Sequence, residues 1–149
     1  MDLPNGAQLP DDATIVFIVS GGKKFPLTGP CERLEVEALK CDDDGISVTC
    51  VERFEGGELR RFQEAARAAG AGIAVRKTAV VARIMVGDFR TFLEHDAGKV
   101  EIVLAKIPGN HGHCLIKGIT EADGGLRLLA SRAFKDFVPV GEVPGLVNA

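Results

Sequence analysis

Residues 33–75 read RLEVEALKCDDDGISVTCVERFEGGELRRFQEAARAAGAGIAV, and their patterning decides the fold class. In Arg33–Lys40, the apolar Leu34, Val36 and Ala38 alternate with Arg33, Glu35 and Glu37. A period of two puts the first set on one face of a strand and the second set on the other. Ile46–Phe54 repeats the pattern, with Ile46, Val48, Cys50 and Phe54 on one face and Ser47, Thr49 and Arg53 opposite. Asp42-Asp43-Asp44-Gly45 joins the two runs, and a loop ending in a left-handed glycine closes a hairpin. The apolar positions are even-numbered throughout, so an even-to-even register gives one dry face and one wet face. That register puts Cys41 on the wet face and Cys50 on the dry one, which rules out a disulfide between them. Gly56-Gly57 ends the hairpin. From Glu58 to Ala69 the period becomes helical: Leu59, Phe62, Ala66 and Ala69 form an apolar stripe, with Arg60, Arg61, Glu64 and Arg67 outside. Glu58 suits the positive helix end and Gly70 the position just past the other end. Ile73–Val86 then returns to strand character.

Toward the N-terminus, residues 1–12 carry Pro4, Gly6 and Pro10 and have no period. They read as an extended arm of the kind that orders against a neighbour. Ala13–Ser20 contains the unbroken run Ile15-Val16-Phe17-Ile18-Val19, which predicts a strand buried on both faces. Gly21-Gly22-Lys23-Lys24 is a turn; no glycine precedes it at phosphate-loop spacing and no Ser or Thr follows the lysine. Phe25-Pro26-Leu27 continues as a short edge segment, broken by Gly29-Pro30.

Toward the C-terminus, Asp88 caps a short expected helix with Phe89, Phe92 and Leu93 inward and Gly98 closing it. Val100–Ile107 and His113–Ile119 read as a second hairpin about the Pro108-Gly109-Asn110-His111-Gly112 turn. Leu126–Phe137 has the clearest helical spacing in the chain, through Leu126, Leu129, Ala130, Ala133, Phe134 and Phe137. The expectation is an α+β fold: an antiparallel, hairpin-based sheet, as a sandwich or small barrel, with two to three packed helices. Residues 13–138 form one domain between the arm and an irregular tail, residues 139–149.

Composition narrows the functional classes. The 149 residues are 46% hydrophobic and 26% charged, the balance of a globular domain. Net charge is −3, but residues 1–57 carry 5 Lys and Arg against 11 Asp and Glu, while residues 58–149 carry 13 against 10. An acidic front and a mildly basic back favour head-to-tail contacts. No Lys/Arg run occurs and Trp and Tyr are absent, so nucleic acid is not an expected partner, nor is a sugar or receptor surface. The apolar runs Ala13–Val19 and Ala79–Val86 are too short for a bilayer, and no membrane association is expected. No basic stretch followed by an apolar one marks a secretory leader. The cysteines at 31, 41, 50 and 114 are therefore expected as thiols.

Motifs for chemistry are sparse. His111-Gly112-His113-Cys114 is the best cluster: on a strand, His111 and His113 would project to one side and could share a metal with a third ligand such as His95 or Asp96. Cys114 would face away, and no acid is placed to orient a Cys114–His113 pair. Glu35 and Glu37 are spaced as paired carboxylates, and Asp42–Asp44 lacks the alternation of a calcium loop. No residue is assigned a catalytic, cofactor-binding or metal role, and no cofactor is expected.

The succession Glu32-Arg33-Leu34-Glu35-Val36, Asp44-Gly45-Ile46-Ser47-Val48-Thr49, Arg53-Phe54-Glu55-Gly56-Gly57 and Ala65-Ala66-Arg67-Ala68-Ala69-Gly70-Ala71 resembles a module of tailed-bacteriophage tail and tail-fibre proteins. There a Glu-Arg-x-x-Val strand precedes a Val-Thr strand, an Arg-Gly-x-Glu-Gly-Thr corner, an Ala-rich stretch ending in Ala-Gly-Ala and another strand. Here the corner is a residue shorter, Gly57 replaces Thr, and Arg67 stands where His is frequent. The resemblance spans roughly residues 14–80. It implies a non-enzymatic structural part of a virion, assembled in the host cytoplasm as a homo-oligomer that contacts other virion proteins. The contact parts would be the arm, the Asp42–Asp44 turn and residues 138–149. The alternative is a small metal-binding domain or metal-dependent enzyme using His111 and His113.

Overall fold

The computed structural model describes residues 3–19, 38–41 and 44–149. Their elements are strands β1 (Thr14–Val19) and β2 (Ile46–Cys50), helix α1 (Glu58–Gly70), strand β3 (Val80–Met85), helix α2 (Val86–Leu93), strands β4 (Glu101–Leu104) and β5 (His113–Lys117), helix α3 (Gly124–Ala133) and strand β6 (Asp136–Pro139). The strands form one antiparallel sheet in the order β4-β5-β2-β1-β3-β6. This is the expected α+β class. The layers come from helices on both faces of a single sheet.

β1 sits at the centre, and its alternation divides the core. Ile15, Phe17 and Val19 point to one face, in register with Ile84, Ala82 and Val80 of β3. That face runs unbroken through Cys50, Val48 and Ile46 of β2, Cys114 and Ile116 of β5, and Ile102 and Leu104 of β4. Phe89 and Leu93 of α2 and Leu126 and Ala130 of α3 cover it. Val16 points to the other face, where Phe62, Ala65 and Ala66 of α1 meet Val51, Val75, Val140, Val143 and Leu146 in a second, smaller core.

Residues 3–12 lie along the outer edge of β4. The Gly6 and Leu9 amides donate to the Leu104 and Ile102 carbonyls (2.7 and 2.9 Å), and Leu104 donates to Ala7. Leu9 is buried in the main core, and Arg90 holds Asp11, Gln8 and the Leu9 carbonyl. The C-terminal stretch is fastened as well. Arg67 donates to the Pro144 carbonyl, and Asn148 bonds both the Val75 amide and the Ile73 carbonyl.

Several expected boundaries move, each for a packing reason. Of the expected strand Arg33–Lys40, residues 33–37 lie outside the described residues, and Ala38–Lys40 are not strand. Leu39, an odd-numbered residue, is the buried one, and Arg127 clamps its carbonyl at 3.0 and 2.8 Å. Among the described residues, β2 pairs with β5 along Ile46–Thr49 and with β1 at Thr49–Cys50. β2 stops at Cys50, not Phe54, because a 3₁₀ turn at Val51–Arg53 drops Val51 into the second core. Leu59 is 69% exposed: the buried stripe of α1 is Phe62, Ala65, Ala66 and Gly70. Gly70 is the last helical residue, where a Cβ would press on Leu146, while the left-handed turn is made by Gly72 (φ +81°). The expected strand Ile73–Val86 begins only at Val80, and α2 starts directly from β3 at Val86, before Asp88.

The helix expected to reach Phe137 ends at Ala133. Phe134 turns extended to sit between Phe17 (5.1 Å, edge-on) and Phe89 (5.7 Å). Continuing the helix would gain a few main-chain bonds at about 1 kcal/mol net each. Pairing β6 with β3 recovers comparable bonds, and burial of the Phe134 ring adds about 2 kcal/mol on top. The strand therefore wins.

Gly118, past the end of β5, has φ +98°, and a Cβ there would overlap the Lys99 carbonyl oxygen. Gly118→Ala is expected to cost about 2 kcal/mol or more from strain and the clash. Gly98→Ala, which meets nothing within 4 Å, should be near neutral. Urea denaturation of the two variants beside the wild type checks both values.

Candidate functional site

The histidine cluster does not assemble as a strand pattern would have it. β5 begins at His113, so His111 lies in the preceding turn, where alternation does not set its direction. His111 Nε2 meets the Arg53 carbonyl at 2.9 Å, with the ring 4.6 Å from that of Phe54. His113 Nδ1 meets the Ala105 carbonyl at 2.7 Å. The two rings are thus tied to carbonyls on different strands' ends. No group of three His, Cys, Asp or Glu positioned to hold a metal occurs among the described residues. His95 is exposed and lies 3.8 Å from Asp96, whose other oxygen takes Lys99 at 2.9 Å. The hydrogen bond from Lys99 holds the Asp96 carboxyl below its ordinary range and raises Lys99 in turn.

The turn is built around Asn110, a residue that carries no motif of its own. Its side chain is buried, donates to Thr49 Oγ1 at 2.8 Å and accepts from the Gly112 amide at 3.1 Å. Gly112 is required there, because a Cβ would strike the Phe54 ring.

Cys50 and Cys114 are buried side by side on the main-core face. Burial, then the negative charge of Glu52, pushes the Cys50 thiol up to about 11; burial, then Cys50 itself, pushes Cys114 up to about 12. Both thiols are spent on local bonds, Cys50 Sγ to Glu52 and Cys114 Sγ to the Gly112 carbonyl. Such groups are poor nucleophiles at neutral pH. Glu35, Glu37, Asp42, Asp43 and the Gly21–Lys24 turn lie outside the described residues, and Asp44 is exposed.

A cleft of about 720 Å³ lies among the described residues, and no motif in the sequence marks it. It opens at one end of the sheet, where the start of β1, the turn after β2, the end of β3 and the start of β6 meet the first turns of α1 and α2. Val51, Phe62, Ile84, Met85 and Phe92 give it apolar walls, and Met85 is 42% exposed. Its charged groups are the carboxylates of Asp12, Glu52, Glu58, Asp88 and Asp136 and the cations of Arg61, Arg83 and Lys135. Some are already engaged. Glu52 Oε1 accepts from the Thr14 amide at 2.6 Å, and Arg83, lying over the Phe62 ring, pairs with Asp136 at 2.5 Å. Lys135 lies 5.1 Å over the Phe92 ring. Asp12, Glu58 and Asp88 are exposed at the rim, and Arg61 Nε is buried without an acceptor among the described residues. The arrangement offers apolar contact area inside an acidic-leaning polar rim.

No protein-family model, curated protein or solved structure matches the chain.

The thiols set an alkaline limit. Unfolded, each ionises near the ordinary value of 9.0, whereas in the fold Cys50 and Cys114 keep their protons to about 11 and 12. A raised acid of this kind leaves stability intact below about pH 9 and removes it as pH climbs from 9 through the folded values. The expected outcome is a melting temperature that declines above pH 9, with a shallower decline in Cys50→Ala and Cys114→Ala. In the native wild type at pH 8, peptide mapping after Ellman's reagent should find both residues unlabelled, and unfolding should expose them.

Proposed function

We propose that this chain is a non-enzymatic assembly protein, a tail or accessory component of a bacteriophage virion that works through contacts with copies of itself and with other virion proteins. The observation that carries the contact reading is the cleft: apolar walls, a charged rim, and Met85 among its lining residues, 42% exposed. An apolar centre within a polar rim is the anatomy of a protein interface, and Met and aromatic side chains are enriched there. Isolated exposed apolar residues are ordinary; a cleft they border is a stronger signal. The virion assignment is supported by the sequence resemblance of residues 14–80. In the described part of that stretch, a strand at Ile46–Cys50, a tight corner and the alanine-rich helix Glu58–Gly70 follow one another in the module's order.

In a density gradient of particles from a host expressing the chain, the protein should band with the particles. Met85→Asp should reduce its incorporation by roughly tenfold or more while leaving its melting curve unchanged, as expected for truncating an interface centre. Recovery only in the soluble fraction, together with a strictly monomeric mass at the highest attainable concentration, would refute the reading.

A further inference from the structure

The cleft lies at the N-terminal end of α1, lined by Glu58, Arg61 and Phe62. At the other end of the same helix the loop after Gly70 presents a complementary surface. Ile73 is 48% exposed, Arg76 and Lys77 are exposed, and Val147, on the stretch that packs beside this loop, is 38% exposed. The loop therefore combines apolar bulk with two positive charges, while the cleft combines apolar walls with five carboxylates against three cations.

The loop is also fixed in place. Asn148 accepts from the Val75 amide at 2.6 Å and donates to the Ile73 carbonyl at 3.0 Å. The Ala79 amide closes a turn onto the Arg76 carbonyl at 3.0 Å, and Val75 is buried beneath. A projection held this firmly loses little conformational freedom on docking. The 13 residues of α1 separate the two surfaces by about 20 Å at 1.5 Å per residue, so a copy's loop cannot reach its own cleft.

We infer that the cleft of one copy receives the Ile73–Lys77 loop of the next, giving head-to-tail self-association. This inference rests on the assembly reading above and names its contact. Ile73 enters toward Met85 and Phe92; Arg76 and Lys77 meet the rim carboxylates Asp12, Glu58 and Asp88. Because the two surfaces differ and point along one helix, each added copy leaves a free cleft and a free loop. The contact is heterologous, and it propagates into a ring or a filament.

The test is sedimentation equilibrium of the purified full chain across concentration, in low salt and in 0.5 M salt (~4 Å Debye length). The wild type should show a mass that rises with concentration, and less steeply in high salt. Two double variants on exposed positions remove one surface each: Asp12→Lys/Met85→Lys in the cleft and Arg76→Glu/Lys77→Glu on the loop. Each alone should associate at least about tenfold more weakly than the wild type, with an unchanged circular dichroism melt. Mixed one to one, they retain a single intact cleft–loop pair and should form a heterodimer that grows no further. Wild-type self-association that neither variant alters, or a mixture that gives no heterodimer, overturns the inference and leaves the assembly reading to its particle test. A monomeric wild type likewise overturns it, and co-banding with particles still decides the assembly reading separately.

Discussion

Burial of β1 on both faces and both edges is the constraint on which the rest of the chain depends. Thr14–Val19 pairs with β3 along its whole length and with β2 at Ile15 and Val16. Its side chains feed two cores, with Val16 on one side and Ile15, Phe17 and Val19 on the other. A one-residue slip would exchange these sets, placing Phe17 against the close-packed alanines of α1 and withdrawing it from Phe134. Register and helix placement are therefore one decision. The small Ala65, Ala66 and Gly70 let α1 lie close on its side, while Phe89 and Phe134 fill the deeper layer on the other.

The irregular segments are fastened to this frame by a repeated device, a long polar side chain reaching main-chain carbonyls. Arg90 does so for the N-terminal segment, Arg127 for Leu39 and Arg67 for Pro144. A guanidinium offers several donors in a rigid fork, so one residue can hold a stretch that has no periodic partner. Solvent-exposed pairs of this type add little stability on their own. Their effect here is geometric, because they choose where chain without a ladder of its own will lie.

What could be read in the sequence was whatever depended on period and turn chemistry. The run Ile15–Val19, the Pro108-Gly109 hairpin and the inward face of Ile46, Val48 and Cys50 all carry signals within a few residues. What could not be read depended on partners far along the chain. The spacing of Phe134 and Phe137 continues a helix, and only the slot between Phe17 and Phe89 makes the strand better. Leu59 fits the helical stripe, but the second core ends one turn short of it. His111 and His113 look like a ligand pair until the strand is seen to start at His113. The cleft drew on residues from Asp12 to Asp136, each unremarkable in its own segment. A site assembled from the ends of many elements leaves no local motif behind.

The two-core arrangement also has a consequence for biosynthesis. The main core takes Leu9 from near one end of the chain and Phe134 from near the other, and the second core is closed by Leu146. A ribosome releases the N-terminal side first, so neither layer can be completed until Phe134 and Leu146 have emerged. β1 gains its strand partners β2 and β3 first, while its Phe17 face stays incompletely covered until Phe134 follows. Until those residues follow, the nascent chain is vulnerable to aggregation or chaperone capture through the strand that later becomes its most protected part.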